Sequence, residues 1–115
     1  MRQVLFVELG MGVDLRGQDA TKAAVRAVRD AIGRNTVPGM AALLDGGGKR
    51  MAVRVRLAAP VEAGPIDRAA VVAVLPAGEV AVEVAPGGML APNGTAGGGM
   101  LCVVNAAVEV AIESV

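Results

Sequence analysis

The sequence contains no histidine, tryptophan or tyrosine, and it has only one phenylalanine, Phe6, and one cysteine, Cys102. The absence of histidine removes the commonest general base and metal ligand. A zinc site is excluded, because one cysteine and scattered carboxylates do not supply the usual ligands. The single serine, Ser114, lies beside the C-terminus, which excludes a serine triad in practice. We therefore predict no metal and no cofactor.

The formal net charge is zero, which limits the kinds of macromolecule that the chain could bind. Eleven basic residues balance eleven acidic ones, so the chain lacks the basic footprint and the stacking aromatics of nucleic-acid binders. The longest apolar run, 100–112, is too short to span a bilayer and contains Asn105 and Glu109. No signal peptide is predicted. One cysteine cannot form an internal disulfide, so we expect a cytoplasmic protein with a buried, inert Cys102.

Aliphatic residues are abundant instead. Hydrophobic residues make up 54% of a chain of 115 residues, which is the length of a single domain, 1–115. Alanine and valine bury less area than aromatics, so the core of one chain is modest. A chain this apolar exposes aliphatic surface or buries it against copies of itself. We therefore expect a homo-oligomer.

Hydrophobic periodicity predicts an α+β fold. The pattern indicates a two-layer sandwich, in which a four-stranded mixed sheet carries two helices on one face, in the order β-α-β-α-β-β. The first strand is apolar on both faces and is therefore predicted to be central. The strands are expected at 2–9, 51–57, 79–84 and 100–112, the helices at 19–32 and 67–75, and a short helical turn at 40–44.

Two further patterns bear on surfaces. Arg54, Arg56, Glu79 and Glu83 alternate with apolar residues, so we expect a charged ladder on the uncovered face of the sheet, which is a plausible subunit contact. The glycine-rich segment 86–99 is long enough to be a lid, an interface arm or a mobile loop.

The segment from Glu8 to Lys22 is the predicted functional site. It joins a strand to a helix and is rich in glycine and charge, whereas a plain connection needs about 2–6 residues. Gly10 and Gly12 would let a ligand approach the backbone, and the N-terminus of the helix favours an anion. Leu15 stands where the dinucleotide fingerprint requires a third glycine, and the ending of a P-loop is missing.

Within this segment, Lys22 is the candidate general base and Asp14 its orienting partner, the alternative being a surface lysine. Arg16 is suited to clamp a carboxylate. Asp19 is expected to cap the helix. The predicted substrate-binding residues are Glu8, Gly10, Gly12, Arg16, Gln18, Thr21 and Asn105.

The block from Glu8 to Ile32, with 75–84 and 103–110, resembles the "lin" family of conserved hypothetical bacterial proteins. That resemblance brings no assigned activity, and it implies histidine at the position that Arg16 holds here. The order of elements is also similar to one repeat of the ring-opening amidohydrolases, cyanuric acid hydrolase and barbiturase. Three such repeats surround a pseudo-threefold axis, so this likeness implies a homotrimer with clefts between subunits. Those enzymes use Ser-Lys dyads, for which Thr21 or Thr95 would have to substitute.

Three functions follow as expectations. The first is a homo-oligomer that binds a small anionic or amide-containing metabolite between subunits. The second is a small enzyme of amidohydrolase or isomerase type with Lys22 as base. The third is a structural or regulatory assembly protein without a small-molecule site.

Overall fold

The computed structural model describes residues 2–33, 39–45, 47–75 and 78–114. Its elements are β1 (Arg2–Asp14), α1 (Ala20–Ile32), α2 (Gly39–Leu44), β2 (Lys49–Ala59), a 3₁₀ turn (Val61–Ala63), α3 (Arg68–Val72), β3 (Glu79–Pro86), β4 (Met89–Pro92) and β5 (Met100–Ser114). The α+β class and the mixed sheet with helices are confirmed.

The sheet has five strands, in the order β1-β5-β2-β3 with β4 paired to β5. β5 is antiparallel to β1 and to β2, whereas β2 and β3 are parallel. The expectation of four strands is wrong, because β4 forms inside the segment 86–99. The expected order of elements therefore also lacks β4. Placing the first strand at the centre is wrong as well, since β1 is an edge strand.

Helix α1 positions the core. Asp19 caps it by accepting hydrogen bonds from the backbone N–H groups of Thr21 and Lys22, as expected from the sequence. Its buried side is made of small residues that pack on β1 and β5. The molecule is 59 Å long and only 18 Å thick, the thickness of one helix layer on one sheet. The fully buried members of the core include Ala23, Ala24, Ala27, Val28, Val55, Val71, Cys102 and Val104.

The other face of the sheet, opposite α1 and α3, is named the open face. Cross-strand partners share a face, and the pairing of Arg54 with Ala81 and of Arg56 with Glu83 places these side chains there. Arg54 and Arg56 both form ion pairs with Glu83, at 3.6 and 3.2 Å. The expected ladder between β2 and β3 is confirmed. No helix among the described residues is long and apolar enough to cross a membrane.

Candidate functional site

The connection between β1 and α1 is shorter than the sequence suggests. β1 continues to Asp14 and α1 begins at Ala20, so only 15–19 connect them. The expectation that the first strand ends at Leu9 and a loop follows from Gly10 is therefore wrong, and the connection has an ordinary length.

Gly10 and Gly12 lie inside β1, and the reason for glycine there is packing. A Cβ atom on Gly12 would lie 2.0 Å from the carbonyl oxygen of Ala23 and 2.3 Å from the nitrogen of Ala27. A Cβ atom on Gly10 would lie 2.2 Å from the carbonyl oxygen of Ala27. The backbone of α1 thus fills the space that these glycines leave, and a ligand has no access to them from that side.

The side chain of Asp14 has a structural role as a hydrogen-bond acceptor in the connection between β1 and α1. It accepts a hydrogen bond of 2.9 Å from the backbone N–H of Asp19, and the residue is only 7% exposed. This bond lowers the pKa of Asp14 most, against the raising effect of burial, and the N–H groups of Gly17 and Arg16 and the charge of Lys22 lower it further. Asp14 is therefore ionised at neutral pH and committed to the backbone around it.

The N-terminus of α1 already holds a carboxylate. One side-chain oxygen of Asp19 accepts from the N–H groups of Thr21 and Lys22, at 2.9 and 3.1 Å. The Thr21 hydroxyl oxygen accepts from the backbone N–H of Asp67, at 2.9 Å, and so ties α1 to the start of α3. The donors that an anionic ligand would use at this helix end are occupied by the chain itself.

The second glycine-rich segment folds onto this connection. The amide nitrogen of Asn93 donates to the carbonyl oxygen of Leu15, at 3.0 Å. The amide oxygen of Asn93 accepts from the backbone N–H and the hydroxyl of Thr95, at 3.0 and 2.7 Å. Leu15, Arg16, Asn93 and Thr95 line a groove of about 150 Å³, named the Arg16 notch. Asn93 is not among the predicted site residues, although it begins an Asn-Gly pair, which is typical of a tight turn.

The remaining predicted residues are dispersed. Glu8 faces the helix side of β1, about 20 Å along the strand from Asp14 at ~3.3 Å per residue. Asn105 is paired with Met11 and Ala58 and lies on the open face, so it cannot meet Asp14. Arg16, Gln18 and Lys22 are exposed on the connection or the first turn of α1. Gln18 has a positive φ of 50°, a conformation that is uncommon outside glycine.

Other groups that often carry chemistry are accounted for. Cys102 is fully buried, and burial raises the pKa of its thiol, which is typical of an unreactive cysteine. In the part of the chain that the structure describes, no three metal-ligating side chains cluster.

This fold and sequence define a family. Residues 4–110 match the family model described as "Conserved hypothetical protein (Lin0512_fam)". The chain belongs to this family of conserved hypothetical proteins. Its fold is similar to the crystal structure of an FtsZ-like protein of unknown function from Nostoc punctiforme, with 34% sequence identity and a TM-score of 0.76. The similarity covers 98% of each chain. A search of curated proteins finds no match.

Proposed function

We propose that this chain is a cytoplasmic homo-oligomer that binds a small carboxylate- or amide-containing metabolite in the Arg16 notch. The observation that carries the proposal is the Arg16 guanidinium, exposed at the notch with no carboxylate of the described residues within ion-pair distance. A guanidinium presents a planar fork of donors that matches a carboxylate. Leu15 adds an apolar wall, and the Thr95 hydroxyl a polar group.

The size of the notch supports a shared site. A volume of about 150 Å³ is below the roughly 300–1,000 Å³ of small-molecule pockets. A bound metabolite would project from the notch, and a second subunit would enclose it. The single buried thiol is consistent with a cytoplasmic location.

Replacing Arg16 by alanine is expected to weaken ligand binding by about 10- to 100-fold, since a hydrogen bond to a charged group contributes roughly 1.5–3 kcal/mol. The measurement is isothermal titration calorimetry with a panel of small mono- and dicarboxylates and cyclic imides. Arg29→Ala is the matched control, because Arg29 is an exposed arginine on α1, away from the notch. Equal affinities in Arg16→Ala and wild type would contradict the proposal.

Catalysis by Lys22 is the second candidate. It is favoured because the positive charge of Lys22 lowers the pKa of Asp14. Asp14 is committed to backbone donors, which makes it a poor proton relay. We expect no turnover of cyclic amides or imides by the wild-type protein, measured by release of the ring-opened product. Turnover that Lys22→Ala abolishes, with the fold unchanged by circular dichroism, would establish the enzyme instead.

A further inference from the structure

We propose that a second copy of this chain seats on the open face of the sheet, with the aliphatic side chains of β1 as the apolar part of the contact. The inference rests on the homo-oligomer of the proposed function and identifies the surface that forms it. These side chains, named the β1 stripe, are Val4, Val7, Leu9 and Met11.

The β1 stripe is a continuous exposed apolar surface. Its four residues are between 47% and 69% exposed. A register shift between Val4 and Phe6 places one extra residue in β1. Because side chains alternate along a strand, this bulge brings Val4 and Val7, three positions apart, to the same face. The local irregularity therefore lengthens the stripe.

The helix-covered face and the edge strands β1 and β3 are less suited to self-association than the open face. One face of the sheet is covered by α1 and α3. On the edge strand β1, the N–H of Met11 donates to the Asp30 carboxylate at 2.9 Å, and the carbonyl oxygen of Val13 accepts from Arg26 at 2.6 Å. On the other edge strand, β3, the carbonyl oxygen of Val82 accepts from Arg68 at 2.7 Å. Helix side chains thus hold backbone groups that edge-to-edge pairing would need.

The charges of the open face favour a copy over a charged partner. Seven ion pairs of 2.7 to 3.6 Å join four arginines and four glutamates of alternating sign into one unbroken series. In order, its members are Arg54, Glu83, Arg56, Glu109, Arg2, Glu113, Arg50 and Glu79. The series has no net charge, so it does not attract a strongly charged macromolecule. Against a second copy, its alternating signs are able to meet their opposites.

The area also fits a stable contact. β1 has 13 residues, about 43 Å at ~3.3 Å each, and four strands at ~4.8 Å span about 19 Å. The open face therefore measures about 800 Å², which is what one partner contributes to a standard interface. The β1 stripe would form its apolar part along one edge of the sheet, and the ion pairs of the neighbouring strands its polar part.

The test compares Leu9→Glu with Val61→Glu, because both native side chains are 69% exposed and Val61 lies on the 3₁₀ turn, not on the open face. Sedimentation velocity with interference optics suits a chain without tryptophan or tyrosine. Wild type and Val61→Glu are expected to sediment as one oligomer, and Leu9→Glu as a monomer with an unchanged circular dichroism spectrum. An oligomeric wild type with an equally oligomeric Leu9→Glu would overturn the assigned surface alone. A monomeric wild type would overturn the homo-oligomer and the inference together.

A second measurement tests the open face as the subunit contact if Leu9→Glu fails to fold. Leu9→Cys and Val61→Cys are labelled with a thiol reagent, and the native Cys102 gives no background because it is fully buried. We expect Leu9→Cys to react at least about tenfold more slowly than Val61→Cys, since a thiol in an interface is shielded from the reagent. Equal rates would overturn the assignment of the open face. Calorimetry on Arg16→Ala tests the ligand site separately.

Discussion

Gly12→Ala is expected to lower the free energy of unfolding by about 3 kcal/mol or more, at the upper end of overpacking in a core. The added Cβ atom would lie 2.0 Å from the carbonyl oxygen of Ala23, and an ordinary contact begins at 3.4 Å. The obstacle is the backbone of α1, not a flexible side chain. The helix would have to move away from β1, and the buried alanines on either side would lose their contacts.

Gly97→Ala is the control, because a Cβ atom there meets nothing within 4 Å. Its free energy of unfolding is expected to stay within about 0.5 kcal/mol of wild type. Urea unfolding followed by far-ultraviolet circular dichroism at one protein concentration measures both, since an oligomer's stability depends on concentration. Equal stability of Gly12→Ala and Gly97→Ala would show that α1 does not pack closely on β1.

Local sequence patterns were sufficient to predict those helices and strands that bury one face. The apolar spacing after Asp19 predicted α1 to within one residue of its observed bounds, Ala20–Ile32. Alternation predicted which side chains of β2 and β3 share a face. β4 was not predicted, because its four residues are too few to show a period. The strand lies between glycine-rich stretches and ends in Pro92.

The prediction of a long loop in the segment from Glu8 to Lys22 failed for a different reason. The spacing of Gly10 and Gly12 favours a loop, whereas close packing of a helix on a strand also requires glycine. A signal was present: glycines two apart on a strand are separated by about 6.6 Å, and alanines four apart on a helix by about 6 Å. Gly10 and Gly12 match Ala27 and Ala23 in this way.

Long-range pairings were beyond any local pattern. The bond between Asn93 and Leu15 spans 78 positions, and nothing near either residue indicates it. The ladder of Arg56 and Glu83 was predictable from alternation, but its extension to Arg2 was not. That extension depends on β5 lying between β1 and β2.

Glu109→Gln is expected to lower the free energy of unfolding at neutral pH by about 2 kcal/mol. Glu109 is only 8% exposed and joins two halves of the ion-pair series through Arg2, at 2.7 Å, and Arg56, at 2.8 Å. Each hydrogen bond between charged groups contributes roughly 1.5–3 kcal/mol. Both guanidinium groups are partly exposed, so solvent screening reduces the sum, and the glutamine keeps part of the hydrogen bonding.

The difference between wild type and Glu109→Gln is expected to narrow in acid. The hydrogen bond from Arg56, with the charges of Arg2, Arg56 and Arg54, lowers the pKa of Glu109 from its ordinary value of 4.5. Below pH 4.5 the unfolded chain therefore binds a proton at Glu109 before the folded chain does, and the stability that Glu109 contributes declines as the pH falls through the lowered pKa. The lowered pKa of Asp14, which is normally 3.8, adds a further loss that wild type and variant share.

Glu62→Gln provides the matched control, because it makes the same change at an exposed glutamate of the 3₁₀ turn. Urea unfolding at pH 7, 5, 4 and 3 should give Glu62→Gln the wild-type pH profile, and Glu109→Gln a flatter profile whose distance from wild type decreases as the pH falls. A constant offset between Glu109→Gln and wild type at every pH would mean that the carboxyl group acts by packing and not by charge. Since Glu109 also belongs to the ion pairs of the proposed subunit contact, the same variant should weaken the oligomer less than Leu9→Glu does, because it removes no apolar surface.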